Sequence, residues 1–86
     1  HDSIEFSPED LPLSDSVIVN GKKSKMTLHE SKIEIGDKTL LLSEIQSFLT
    51  ESNTSIYIFS NELFIVHPLK TSSLMWKEYF DFLRKV

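Results

Sequence analysis

Not one of the 86 residues is a cysteine, which removes disulfides, thiol chemistry and cysteine-containing zinc sites from consideration. That absence fits a reducing compartment. With only two glycines the chain has no Gly-rich phosphate loop, and no strand-turn-helix nucleophile signature occurs. No apolar run approaches the roughly 20 residues of a membrane span, and nothing resembles a signal peptide. Bases are scarce as well, nine Lys and Arg against 13 Asp and Glu, giving a net charge of −4. Non-specific nucleic-acid binding rests on neutralising phosphates with Lys and Arg, so this balance argues against it while leaving room for a local basic patch.

The residues present point to one small folded domain. Six Phe against two Gly, with 40% hydrophobic residues, favour a packed core over a disordered chain. A chain of this length buries roughly 60–65% of its unfolded surface, enough for one core without a metal or a disulfide. Because the chain opens with His rather than Met, it is expected to be a piece of a longer protein.

Ser73 to Val86 is the only stretch with clear helical periodicity. Trp76, Tyr79, Phe80 and Leu83 fall at i, i+3, i+4 and i+7, the spacing that lines one side of a helix. Lys77, Glu78, Asp81, Arg84 and Lys85 are left for water. So aromatic a helix needs a large apolar surface beneath it, and only the preceding strands can provide one. Lys70 to Ser73 offers hydroxyls to cap it.

Those strands read as follows. Val17-Ile18-Val19 meets Asn20-Gly21, a strong hairpin signal, and the return runs through Met26 and Leu28. Lys32 to Ile35 places Ile33 and Ile35 on one face, and Gly36-Asp37 turns the chain into Thr39 to Leu42. Ser43 to Leu49 fits either a helix or a strand, and strand is preferred because every neighbouring element is β. Ile56 to Phe59 and Leu63 to Val66 form a final hairpin that Pro68 stops. Residues 1–16 differ in texture, with five acids, two prolines and isolated Ile4, Phe6, Leu11 and Leu13. They are expected to be an acidic, extended leader, either mobile or docked through those four residues, ahead of a domain over residues 17–86.

A strand meander closed by one helix resembles the pleckstrin-homology (PH) superfold, including its GRAM-like variants. The likeness covers Val17 to Val86 and is carried by Gly21, Met26-Thr27-Leu28, Lys32 to Ile35 and Thr39 to Phe48, with Trp76 in the closing helix. It implies an α+β, mainly β fold: a bent antiparallel β-barrel or sandwich of about six to seven strands, capped by the C-terminal helix. Trp76 lies nearer the helix start than that family places its tryptophan, and the chain is shorter than a typical member. The resemblance also implies candidate sites. In lipid-binding members the loop between the first two strands grips inositol phosphates, which points to Lys22, Lys23 and Lys25, with Lys32 adding a fourth charge. The cluster has no arginine, the favoured phosphate fork. PTB-like relatives instead bind extended peptides by strand addition, at a sheet edge or in a helix–strand groove.

Catalysis finds no support in the pattern. His29 and His67 lie on different strands without metal-ligand spacing, and the acids are scattered singly. No catalytic residue, metal or cofactor is expected. Asn53-Thr54-Ser55 and Ser7-Pro8 match modification motifs that occur often by chance. The leading expectation is a non-catalytic interaction module within a larger intracellular protein, cytoplasmic or nuclear, that binds a protein partner. Weak anionic-lipid or phosphoinositide targeting through the Lys22–Lys25 loop is the alternative, and a histone-binding module the third. A homo-oligomer is compatible with all three.

Overall fold

Asn20-Gly21 makes the turn its composition demands: both residues take left-handed backbone, with φ of 50° and 88°, the type I′ geometry that matches strand twist. In the computed structural model, which describes residues 11–85, this turn joins β1 (Leu13–Val19) to β2 (Lys22–Leu28). There follow β3 (Lys32–Ile35), β4 (Lys38–Leu41), a 3-10 turn (Leu42–Glu44), β5 (Ser47–Glu51), β6 (Ser55–Phe59), β7 (Leu63–Pro68) and α1 (Ser73–Lys85). The seven strands form one antiparallel sheet in the order β4-β3-β2-β1-β7-β6-β5, curled into a half-barrel. The fold is α+β, mainly β, with its single described helix at the C-terminal end.

The seam between β1 and β7 joins the first strand to the last, pairing Val17 with Pro68 and Val19 with Val66. Asn20 lengthens the seam beyond the strand. Its amide donates to the Ile65 carbonyl at 2.9 Å, and its side-chain Oδ1 accepts from the Ile65 amide at 2.9 Å. Gly36 turns β3 into β4 with φ 63°, and a Cβ there would come within 2.8 Å of Ser24 Oγ. Strand alternation then sends Val17, Met26, Leu28, Ile33, Ile56, Ile58 and Val66 inward, all fully buried.

Two elements differ from the sequence reading. Residues 43–49 do not form one strand: a 3-10 turn comes first and β5 begins only at Ser47. Leu42 and Ile45 are both buried, and residues three apart share a face in a 3-10 turn, whereas in a strand they face opposite ways. The sheet also begins at Leu13, inside the expected leader, with Leu13 paired to Leu28. Leu13 and Leu11 pack on the rim of the core. What disguises this strand is Asp15, a carboxylate in an inward position, 6% exposed.

That carboxylate ties α1 to the sheet. Asp15 Oδ2 accepts from the amides of Lys70 and Thr71, both at 2.9 Å, and from the Thr71 hydroxyl at 2.7 Å. The indole N–H of the fully buried Trp76 donates to Thr71 Oγ1 at 2.6 Å, completing a chain from helix to strand. Burial by itself pushes the Asp15 carboxyl up. The hydrogen bonds from Thr71, Lys70 and Ser16 outweigh it and hold the group below the ordinary aspartate range. On the other side, the Ser73 hydroxyl donates to the Ser52 carbonyl at 2.6 Å and its amide to the Asn53 carbonyl at 2.9 Å. Ser72 caps the helix, its Oγ accepting from the Met75 amide at 3.2 Å.

Two outcomes follow from this clamp. Trp76→Ala removes the largest fully buried side chain and is expected to cost about 3–5 kcal/mol in urea denaturation, a large share of a small domain's stability. Asp15→Asn keeps the shape but loses the charge, and is expected to cost about 1–2 kcal/mol at neutral pH. Because the folded pKa is depressed, the wild-type advantage is full above the unfolded pKa of about 4 and closes as pH falls through the lower folded value. A wild-type-to-mutant gap that stays constant on acidification contradicts the assignment.

Candidate functional site

β5 is one end of the sheet, so the far side of its backbone has no strand partner among the described residues. α1 lies alongside this end and packs chiefly on β5. Between them runs a groove of about 400 Å³, lined by Gln46, Ser47, Phe48, Lys77, Phe80, Asp81 and Arg84. Its floor is aromatic: the Phe48 and Phe80 rings stack with centroids 4.3 Å apart and planes 12° from parallel. Both rings belong to the core, Phe48 by strand alternation and Phe80 by the helical stripe.

The rim is charged and held in place. Arg84 sits over the Phe80 ring, 5.3 Å from its centroid, and donates through Nη1 to the Ile45 carbonyl at 3.2 Å. It thereby ties the last turn of α1 to the residue that precedes β5 by two. Lys77 Nζ donates to both Asp81 oxygens at 2.9 Å, an i, i+4 pair on the helix surface. Two cations and one carboxylate therefore border an apolar floor beside an open strand edge. Such a site can pair with an extended backbone, take an apolar side chain and hold a negative group with a fork of N–H donors.

Strand parity sorts the four lysines singled out from sequence onto two faces. Met26 and Leu28 point inward on β2, so Lys23 and Lys25 project from the outer face while Lys22 shares the inward parity at the turn. Lys32 lies on β3, where Glu34 stands two residues further on the same face. The Glu34 carboxyl is held below its ordinary range, first by a hydrogen bond from His29 at 2.9 Å and then by the charges of His29, Lys32 and Lys25. Two of the four lysines thus lie beside a carboxylate.

The histidines remain apart. His29 faces Glu34, and His67 Nδ1 lies 3.1 Å from the Thr54 carbonyl, to which it donates. Among the described residues no three His, Asp or Glu side chains gather as a metal site, and no helix is long and apolar enough to cross a membrane. Trp76, Tyr79 and Phe80 are buried and Leu83 partly so. Of the docking strip, Leu11 and Leu13 lie on the core rim, whereas Ile4 and Phe6, like Ser7-Pro8, lie outside the described residues.

Sequence reasoning missed two features. Asp15 was one. The other is a set of outer-face apolar residues on β5, β6 and β7: Leu49, Phe59 and Leu63 are 57%, 40% and 48% exposed, with Phe59 paired to Leu63. Its signal was present in the alternation: with Phe48, Ile58 and Phe64 inward, their neighbours must face out.

The aromatic floor gives a measurable coupling. Phe48→Leu and Phe80→Leu, singly and together, should form a double-mutant cycle with about 0.5–1.5 kcal/mol of interaction in urea melts. Additive effects would mean that the stack does not contribute. Compared with family models, curated proteins and solved structures, the chain matches none of them.

Proposed function

We propose that this domain is a non-catalytic interaction module that receives an extended segment of a protein partner along β5, beside α1. The observation that carries this reading is the coincidence of an open sheet edge with the Phe48–Phe80 floor and the Lys77, Asp81 and Arg84 rim. The strand order with its closing helix is consistent with a PH-like fold, the resemblance on which strand addition was expected. Main-chain pairing would supply affinity, and the floor and rim would select an apolar residue followed by an acidic group.

Phosphoinositide binding is the lesser reading. Phosphate recognition needs several cations converging on one small volume. Here Lys22 and Lys23 project from opposite faces of β2, and Lys25 and Lys32 sit beside Glu34.

A random-peptide phage library panned against the domain tests the proposal. Selected peptides are expected to shift the amide signals of residues 46–50 and 77–84, and Arg84→Glu should weaken them at least tenfold. Peptides that map elsewhere, or that ignore Arg84→Glu, would refute the groove reading. Phosphoinositide vesicles that pellet the protein, with pelleting abolished by Lys22→Glu plus Lys23→Glu, would put the lipid reading in its place.

A further inference from the structure

An asparagine followed by glycine is the dipeptide most prone to lose its side-chain ammonia, because glycine has no side chain to shield its amide nitrogen. The chemistry at Asn20-Gly21 is intramolecular. The Gly21 nitrogen attacks the Asn20 Cγ, a new N–C bond closes a five-membered succinimide, and the Cγ–Nδ2 bond breaks. Ammonia leaves with the proton that the Gly21 amide gives up. Water then opens the ring at either carbonyl, leaving an aspartate or an isoaspartate. Both residues are exposed, and a Cβ at Gly21 would meet nothing within 4 Å, so water and base reach the turn.

Geometry is what holds this chemistry back. Attack requires the side chain to fold onto the Gly21 nitrogen. Here it is stretched across to β7 instead: Oδ1 accepts from the Ile65 amide at 2.9 Å, and Nδ2 donates to the Leu63 carbonyl at 3.4 Å. The Asn20 amide holds the Ile65 carbonyl at 2.9 Å, and Val19 pairs with Val66, so the backbone beside it is fixed as well. All three bonds cross the seam between first and last strands. The β1–β2 hairpin supplies none of them.

We propose that Asn20-Gly21 is a modification site gated by the β1–β7 seam, inert while the seam is closed and converted to aspartate or isoaspartate when it opens. The conversion is lasting. An aspartate at position 20 keeps an acceptor for the Ile65 amide but turns a second, charged oxygen on the Leu63 carbonyl, where a donor stood. An isoaspartate adds a methylene to the backbone and removes one from the side chain, which draws its carboxylate away from β7. A chain that stays open too long is thereby marked by a weakened seam. The turn is separated from the β5 groove by β7 and β6, so the site is independent of the peptide-binding reading.

In the native protein the reaction proceeds only from the open fraction, so its rate and the exchange of the Ile65 amide report one equilibrium. The test incubates the full chain in mildly alkaline buffer, with and without denaturing urea. Mass spectrometry then follows the tryptic peptide ending at Lys22, in which Asn20 is the sole amide side chain, for the gain of one mass unit. Urea is expected to speed conversion at least tenfold. Val66→Ala, which loosens the strand facing Val19, should raise the native rate and Ile65 hydrogen exchange by the same factor. Were that variant unfolded, urea below the wild-type midpoint provides the same comparison. Converted protein, once refolded, should exchange Ile65 at least tenfold faster than wild type. Equal rates in buffer and urea would overturn the proposal. So would a native rate that stays constant while Ile65 exchange rises, or converted protein that protects Ile65 as wild type does.

Discussion

The architecture depends on one buried carboxylate. A half-barrel of curled sheet leaves an apolar opening, and α1 closes it only if its first turn is aimed correctly. Asp15 does the aiming from within the sheet: two backbone amides and a hydroxyl just before the helix converge on one of its oxygens, and the Trp76 indole is joined to it through Thr71. A charge in this position is favourable because three donors meet one of its oxygens, and the same shielding that strengthens these bonds makes the loss of any partner expensive. Ser73 clamps the helix from the β5–β6 loop, so its origin is held on two sides.

This anchoring determines what the far end of the helix can do. With its start fixed, α1 lies over β5 so that Phe80 stacks on Phe48 and Arg84 reaches the Ile45 carbonyl. The groove is therefore not a separate device added to the fold. Its floor belongs to the core and its rim to the exposed stripe of the same helix. The electrostatics of the first hairpin work the other way, since neighbouring Glu34 takes up the field of Lys25 and Lys32 on one face. The pleat of the strand sets Lys22 apart from Lys23 and Lys25.

Much of this was readable before coordinates, for identifiable reasons. The turn at Asn20-Gly21, the alternation of Ile56 to Phe59 and Leu63 to Val66, and the stripe of Trp76, Tyr79 and Phe80 are local signals whose physics is settled within a few residues. Leu13 to Ser16 escaped notice because an inward position carries a carboxylate whose justification lies more than fifty residues away, in Thr71. The Leu42–Glu44 turn escaped because a run of three leucines gives no sign of where its direction changes, and only the burial of both Leu42 and Ile45 reveals it. The groove was legible as a kind of place and not as a set of residues. Phe48 lay in a stretch that fitted helix or strand and Arg84 read as a solvated charge, and only the packing of α1 on β5 brings them together.

The seam between first and last strands has a consequence for biosynthesis. β1 sits between β2, made at once, and β7, made some forty-five residues later, so the β1 border of the nascent β1 to β4 meander stays unpaired until the final hairpin leaves the ribosome. Contacts of such long separation must wait for loop-closure entropy to be overcome, and exposed borders are prone to pair with the wrong neighbour in the interval. Asn20 stands where that wait ends, at the tip of the earliest hairpin and already presenting two groups that β7 will need. The register of the closing strand is thus written into a turn completed long before the strand itself exists.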